Sequence, residues 1–514
     1  MGIRRHKSSP FFTEHEPRIT DRGTEHASSL SLPHYFLTLL LLASAHRAPY
    51  HAPFTTRPEV PRNPQMPPLL RTLKLRDLYL LFVGCVIGSG IFLTPGIILR
   101  QVGGSVGISL LVWVVGGILS LLGALTYAEL AATNPEAGGI YCFIRDAFGR
   151  APAFLYGWCL FWVIASGSVA ALARAFAEHF AEITPLSAFG KTALAVVMIA
   201  VVTFVNVWGT RKSSNLQNWT TFIKVGIIVA LSGILLSLGS HAAELPAAFG
   251  AQQQHGGALF SNFGLAMITV LWAYEGWQFG TYAAGEVVEP QKAFPRAFLL
   301  GSLTLLVLYL IAIFGYLFAL GPTGATASSV IAATSVSVVL GHKAAIIVAL
   351  TILVSTFSAA NSVILTAPRV FYAMANNKLF FQSLAKVHPR FQTPAAAVIT
   401  LGVWSAVLAC AGKFAELIGG VIFIGWIFYG LGAAAIFPLR RANKGVAIPY
   451  RVPGYPFTPL LFVLAAAVIV GNAIFAAFQD PAKFIHLKVA LALFALGLPA
   501  YFFWRGRAAH STQG

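Results

Sequence analysis

Gly84-Cys85-Val86-Ile87-Gly88-Ser89-Gly90-Ile91-Phe92-Leu93-Thr94-Pro95-Gly96 lies inside an apolar run long enough to cross a bilayer, yet it holds four glycines and a proline. Each glycine costs a helix about 1 kcal/mol relative to alanine, and proline costs more. Hydrocarbon offers no water to freed N–H and C=O groups, so irregular backbone at that depth survives only inside protein or beside a wet cavity. The stretch predicts a helix broken near mid-membrane. The N–H groups of Ser89, Gly90 and Ile91 would open its outer half, where the positive end of the helix dipole suits a carboxylate. That makes it a candidate substrate site; the competing reading is close helix packing through small residues.

The composition agrees with a membrane setting. Hydrophobic residues make up 57% of the chain and charged ones only 10%, where soluble domains carry about a quarter; mean hydropathy is +0.74. The formal charge of +18 sits in short loops between apolar spans rather than on one soluble face, which argues against nucleic acid as a partner. Cys85, Cys142, Cys159 and Cys410 form no CxxC pair, so neither a zinc site nor a disulfide framework is expected, and no cofactor motif stands out. No HExxH or GxSxG motif supports an intramembrane enzyme, and no repeated pore-loop signature supports a channel.

Residues 1–70 read as a disordered cytoplasmic tail, rich in Arg, His, Pro, Ser and Thr. Its apolar patch Tyr35 to Ala45 is too short to span a bilayer. Met66, just before Arg71, Lys74 and Arg76, is an alternative start. Twelve apolar spans follow, so the fold class is an all-α polytopic membrane protein. They run Leu78–Gln101, Ile108–Ala132, Ala151–Ala177, Thr192–Val207, Leu216–Leu238, Asn262–Val287, Ala297–Leu320, Ala344–Met374, Ala395–Ala411, Leu417–Leu439, Leu460–Phe478 and Lys488–Trp504. Segments beginning at Gly139 and Val330 read as short amphipathic pieces at the surface. Lys and Arg concentrate in alternate loops, which places both termini in the cytoplasm, as an even count requires.

The sixth span also breaks, at Ala273-Tyr274-Glu275-Gly276-Trp277. Interrupted helices in matching places of two inverted five-helix halves are the best sequence pointer to a midplane transporter site. The halves would be 78–238 and 262–439, with 460–504 as two extra helices and 505–514 as a tail. No residue-level repeat relates them; the two halves correspond by position alone.

Four stretches carry a family resemblance: Gly88 to Gly96; Tyr127-Ala128-Glu129-Leu130 with Pro135 to Gly139; Leu271 to Trp277 with Glu286 and Glu289-Pro290; and Pro368 to Met374 with Val387 to Arg390 and Thr393-Pro394. From Leu73 to Trp504 the chain resembles the amino acid–polyamine–organocation superfamily, close to its L-type amino acid transporter branch. The resemblance implies the leucine-transporter fold, a 5+5 inverted repeat with helices 1 and 6 broken. In it, a bundle of spans one, two, six and seven moves against a scaffold of three, four, eight and nine. It implies sodium-independent, alternating-access transport of neutral and cationic L-amino acids by exchange. The alternative within the fold is a proton-coupled amino-acid or polyamine symporter.

Carried over by position, the substrate carboxylate would meet Ser89, Gly90 and Ile91, and its ammonium the carbonyls near Val86, Trp272 and Glu275, with Ala273 and Gly276 completing the second break. Trp272 matches an aromatic gate; the bland reading is a core aromatic. An acid at Glu275 occurs in relatives that also accept dibasic amino acids. An ionisable group at that depth is functional by default, so Glu275 would read a distal cationic or polar group; the alternative is a structural carboxylate on freed N–H groups. Lys224 lies about eight residues into span five, about 12 Å deep at 1.5 Å per residue, within partial reach of snorkelling. It matches a lysine that stands where sodium-coupled cousins hold their ion, and would tie span one to span eight through Thr356, Ser358 or Ser362; the alternative is a lysine desolvated enough to lose its proton and couple substrate to H⁺. Asn361 either lines the path or bonds a neighbouring helix. Glu129, Glu286, Arg369 and Tyr372 fall where an inner ion-pair gate would sit, without revealing which acid meets which base. Animal exchangers of this branch bind an accessory glycoprotein through a cysteine between spans three and four; residues 178–191 hold none. The expectation is a chain without a disulfide-linked heavy subunit, in a plasma membrane, or the inner membrane of a bacterium.

Overall fold

A computed structural model describes residues 69–250, 257–411, 414–479 and 481–510. The expected N-terminal tail therefore lies outside the described residues. What is described is helical, with one isolated bridge, Leu73 to Val287. Leu75–Val86 (α1) and Gly90–Gln101 (α2) meet at a 44° bend. Val106–Thr133 (α3), Ile140–Phe148 (α4), Arg150–Ile183 (α5), Ala188–Val207 (α6) and Thr210–Leu238 (α7) follow. Gly257–Ala273 (α8) leads through a turn into a 3₁₀ run, Trp277–Glu286. Next come Pro290–Ala327 (α9), Ile331–Leu340 (α10), Ala345–Thr366 (α11) and Pro368–Asn376 (α12). The chain continues through Ala395–Ala411 (α13), Phe414–Ala434 (α14), Ile436–Ala442 (α15), Phe457–Gln479 (α16) and Pro481–His510 (α17).

Eight helices among the described residues are long and apolar enough to cross a membrane, or nine when α1 and α2 count as one bent span. The chain is thus a multi-pass membrane protein. Three of the twelve expected spans are outside that count: Lys488–Trp504, which lies within α17, and two that fall short for local reasons. α13 has 17 residues, and so does α8, whose continuation past Gly276 is 3₁₀ rather than α-helix. Runs of 3₁₀ beyond three or four residues are uncommon and mark a strained or functional segment. The piece after Gly139 is not at the surface: in α4, Ile140 through Asp146 are all buried. Its polar side chains pair internally, with Arg145 reaching Glu136 at 2.6 Å and Asp146 at 2.8 Å. α10 buries only Ile331, Ala332, Ser335 and Val336.

α9 runs along α3, α7 and α1, while α11 packs on α5, α7 and α1. Polar groups hold the second set together. Asn361 on α11 accepts from Asn206 of α6 at 2.8 Å and donates to Gln217 of α7 at 3.0 Å. Gln217 in turn donates to Ser358 at 3.0 Å. Asn361 is fully buried, so it binds neighbouring helices rather than lining a path.

At one end of the bundle the acids find their bases. Glu286, closing the 3₁₀ run, takes Arg369 of α12 at 2.6 Å, and Arg369 also donates to Thr210 at 2.9 Å. The main-chain oxygen of Glu286 accepts from Thr72 and Leu73, both at 2.9 Å, strapping the approach to α1 onto the exit of the second break. Glu129 of α3 binds Arg440 of α15 through both oxygens, at 2.7 and 2.6 Å, and accepts from the Val452 N–H at 2.5 Å. The Glu286 and Arg369 side chains are each 1% exposed, so neither charge keeps water. Glu286→Ala should cost about 3–5 kcal/mol by leaving Arg369 unpaired. Glu286→Leu combined with Arg369→Met should cost much less. Apparent melting temperatures in one detergent check the order, and equal losses would contradict it.

Candidate functional site

The first break follows from its residues. α1 stops at Val86, Ile87 leaves α-geometry at ψ 89°, and the chain passes through Gly88 and back to helical dihedrals at Ser89 before α2 begins at Gly90. Gly84 lets α1 lie against α7, since a Cβ there would come within 2.1 Å of the Thr221 hydroxyl and 2.2 Å of Gln217. The carbonyls freed at the break are met by buried donors. Lys224 Nζ donates to Gly84 O at 2.6 Å and to Ile87 O at 2.7 Å. The Ser355 hydroxyl reaches Ile87 O at 2.8 Å and Gly88 O at 2.9 Å.

Lys224 is the fifteenth residue of α7, is 0% exposed, and does not snorkel. Its ammonium ties α7 to the break in α1/α2, and the link onward to α11 runs through Ser355. Thr356 and Ser358 face elsewhere: Thr356 bonds Ile352 O in its own helix, and Ser358 bonds Gln217 and Thr220. Ser362 bonds Ser358 O. Ser355 stood one residue away from the expected contact; only the rotation of α11 distinguishes them.

The donor side of the break finds no protein partner. Among the described residues, the N–H groups of Ser89, Gly90 and Ile91 meet no backbone acceptor. Ser89 occupies the N-cap position of α2, where a hydroxyl ordinarily takes one of those N–H groups. Here it caps nothing, and its Oγ is buried without a partner.

The second break meets the first. α8 ends at Ala273, and Gly276 turns the chain at φ 120°, a conformation that disfavours a side chain. A Cβ on Gly276 would lie 3.0 Å from Cys85 Sγ, and one on Gly90 would lie 2.7 Å from Ala273 Cα. The breaks thus interlock at two glycines. Tyr309 of α9 bridges them, its hydroxyl 2.9 Å from Ala273 O and 3.3 Å from Val86 O.

Between the breaks lies a hollow. Val86, Ser89 and Gly90 form one wall, and Trp272, Glu275 and Gly276 form another. α5 contributes Ser168 and Leu172, and α11 contributes Ala359 and Val363. Ser168 Oγ, like Ser89 Oγ, is buried without a partner. Glu275 has its Oε1 held by Tyr429 at 2.7 Å and by Gln278 at 2.5 Å, side chains rather than freed N–H groups. The structure therefore brings Val86, Ser89, Gly90, Trp272, Glu275 and Gly276 to one cavity. Ala273 and Lys224 lie behind its walls, and Ile91 is fully buried. Tyr309, Ser355 and Ser168 carried no local signal and reach the breaks only because their helices pack there; Tyr429 and Gln278 stand outside the lining, behind Glu275.

The arrangement offers unpaired main-chain donors, a carboxylate and two idle hydroxyls to one small polar molecule, and it contains no nucleophile–base pair. Residues 73–498 match the family model described as amino acid permease. The chain is a member of the amino acid permease family. This permease is 29% identical over 439 residues to the serine/threonine exchanger SteT of Bacillus subtilis, covering 84% of this chain and 95% of the relative. It is 30% identical over 397 residues to b(0,+)-type amino acid transporter 1 of Mus musculus, covering 76% and 80%. It is also 29% identical over 430 residues to large neutral amino acids transporter small subunit 2 of Homo sapiens, covering 82% and 78%. The family and these relatives are transporters, so the permease moves amino acids and is not an enzyme.

Gly90→Ala should disable this permease. Its methyl group has no room, and overpacking of this kind costs about 1–3 kcal/mol, here spent on prising the breaks apart. Gly233→Ala, in α7 with nothing within 4 Å of the new Cβ, is the control and should transport normally. Labelled amino-acid uptake in cells, normalised to protein in the membrane, compares the two; equal uptake would contradict the interlock.

Proposed function

We propose that the permease is a sodium-independent exchanger of neutral and cationic L-amino acids, working by alternating access across a plasma membrane. The observation that carries this reading is the pair of interlocked breaks enclosing a hollow with unpaired N–H groups on one side. The substrate carboxylate takes the N–H groups of Ser89, Gly90 and Ile91, assisted by the Ser89 hydroxyl, at the positive end of α2. The ammonium takes main-chain oxygens beside the breaks, near Val86, Trp272 and Glu275, using lone pairs left over from the Gly88 N–H on Val86 O and the Glu275 N–H on Trp272 O, and displaces the Tyr309 hydroxyl from the weaker of its two contacts. Trp272 covers the substrate, and Glu275 reads a distal cationic or long polar group.

The full architecture in this proposal is twelve spans in a leucine-transporter-type inverted repeat, with both termini in the cytoplasm. Lys224 supplies a fixed positive charge to Gly84 O and Ile87 O, where a coupling cation would otherwise be needed, so no sodium enters the cycle. The loop between α5 and α6 has no cysteine, and the permease works without a disulfide-linked partner.

Purified permease in liposomes tests this. Labelled leucine should enter only when amino acid is loaded inside, equally in sodium and potassium buffers. Uptake driven by a pH gradient into empty vesicles would instead make it a proton symporter. Glu275→Gln should raise the KM for arginine at least about tenfold, the equivalent of about 1.4 kcal/mol, with leucine little changed. Equal retention of both substrates would remove Glu275 from substrate recognition.

A further inference from the structure

Glu275 sits on three unwound residues, a poor platform for a side chain that must discriminate between substrates. Sites on loops hold their groups less rigidly than sites on helices. Two donors outside the turn compensate. Tyr429 projects from α14, and its hydroxyl lies 2.7 Å from Glu275 Oε1. Gln278 Nε2, from the 3₁₀ run, donates to the same atom at 2.5 Å. Both bonds fall on Oε1, and among the described residues no protein donor is recorded on Oε2, while Glu275 lines the hollow. A carboxylate has acceptor sites on both oxygens, so pinning one leaves the other to meet a ligand.

Tyr429 is itself held rather than mobile. It is 1% exposed, and its main-chain oxygen accepts the hydroxyl of Tyr127 from α3 at 2.9 Å. The Tyr127 ring packs against Trp277, immediately after the break, with centroids 5.1 Å apart. Trp277 in turn contacts the Tyr429 ring at 6.4 Å. The orientation of one carboxylate on the second break is thereby referred to two continuous helices, α3 and α14.

We infer that Tyr429 is a positioning residue for substrate selectivity: it fixes Glu275 by Oε1 so that Oε2 faces the distal group of a cationic amino acid. This rests on the reading of Glu275 given above. Without the phenol hydroxyl, the carboxylate rotates about its own bonds and its free oxygen no longer stays aimed into the hollow. Neutral substrates, which make no use of Oε2, are unaffected. Gln278 contributes the second donor and a smaller share, being carried on the same irregular segment as Glu275.

The test is exchange in liposomes by the full chain, with KM and maximal rate measured for arginine and for leucine. Tyr429→Phe keeps the ring and removes only the hydroxyl. The expected result is an arginine KM raised about tenfold, with leucine KM and both maximal rates within about twofold; tenfold corresponds to about 1.4 kcal/mol. In a Glu275→Gln background, Tyr429→Phe should change the arginine-to-leucine ratio no further, because the residue acts through the carboxylate. An unchanged ratio in Tyr429→Phe, or equal loss for both substrates, overturns the inference. So does an additive effect in the double variant. If Glu275→Gln shifts the ratio while Tyr429→Phe does not, the positioning role fails and the role of Glu275 stands; if neither shifts it, both fail. Should Tyr429→Phe not reach the membrane, Gln278→Met removes the other Oε1 donor and is read the same way, with a rise of about threefold expected and no rise overturning the inference.

Discussion

A main chain that leaves the helix inside hydrocarbon must find partners for every group it frees, and Lys224 meets that demand at the first break. One ammonium satisfies Gly84 O and Ile87 O, and Ser355 shares the second of these. With the carbonyl side satisfied by protein, the opposite side turns N–H groups and a serine hydroxyl, which no protein group meets, toward the hollow. The asymmetry gives the break its chemistry. A break satisfied on both sides would be an inert kink, and one satisfied on neither would not persist.

The second break supplies what the first lacks. Gly276 and Gly90 allow the two irregular segments to touch, so donors from one and acceptors from the other border the same hollow. The ties around it differ in kind. Ion pairs such as Glu286–Arg369 and Glu129–Arg440 join distant segments at one end, whereas around the hollow the ties are uncharged hydroxyl donors from Tyr309, Ser355 and Tyr429. A hydroxyl contact to a carbonyl contributes about 1 kcal/mol, within reach of what a bound ligand can replace.

Much of this could be read from residues. Glycines and a proline in an apolar run gave away the first break, and Glu275 with Gly276 the second, because both violate what a lipid-embedded helix tolerates. What stayed hidden was depth and rotation. The polar residues before Leu216, Ser213 among them, looked like a loop, which put Lys224 only about eight residues into its span; in the structure α7 starts at Thr210, and Ser213, Gln217 and Thr221 bond α6, α11 and α1. The piece after Gly139 looked amphipathic and hence superficial, but its Arg145 and Asp146 are buried against each other, with the part-exposed Glu136 as a second partner for Arg145. Ser355 and Tyr429 lie in helices with no interruption; Ser355 is one of several hydroxyl residues on α11, Tyr429 one of several aromatics on α14, and nothing along the chain marks which of them turns toward the breaks. The pairing of Glu286 with Arg369 and of Glu129 with Arg440 likewise depends on packing between segments far apart in sequence.

The most direct measurement is a cryo-electron microscopy map of the permease with saturating leucine. The account predicts density for the amino acid between the two breaks, its carboxylate against the N–H groups of Ser89 to Ile91 and its ammonium toward the carbonyls beside Val86 and Trp272. Continuous α-helix through Ser89 and Gly276, or leucine bound elsewhere with this hollow vacant, would contradict it.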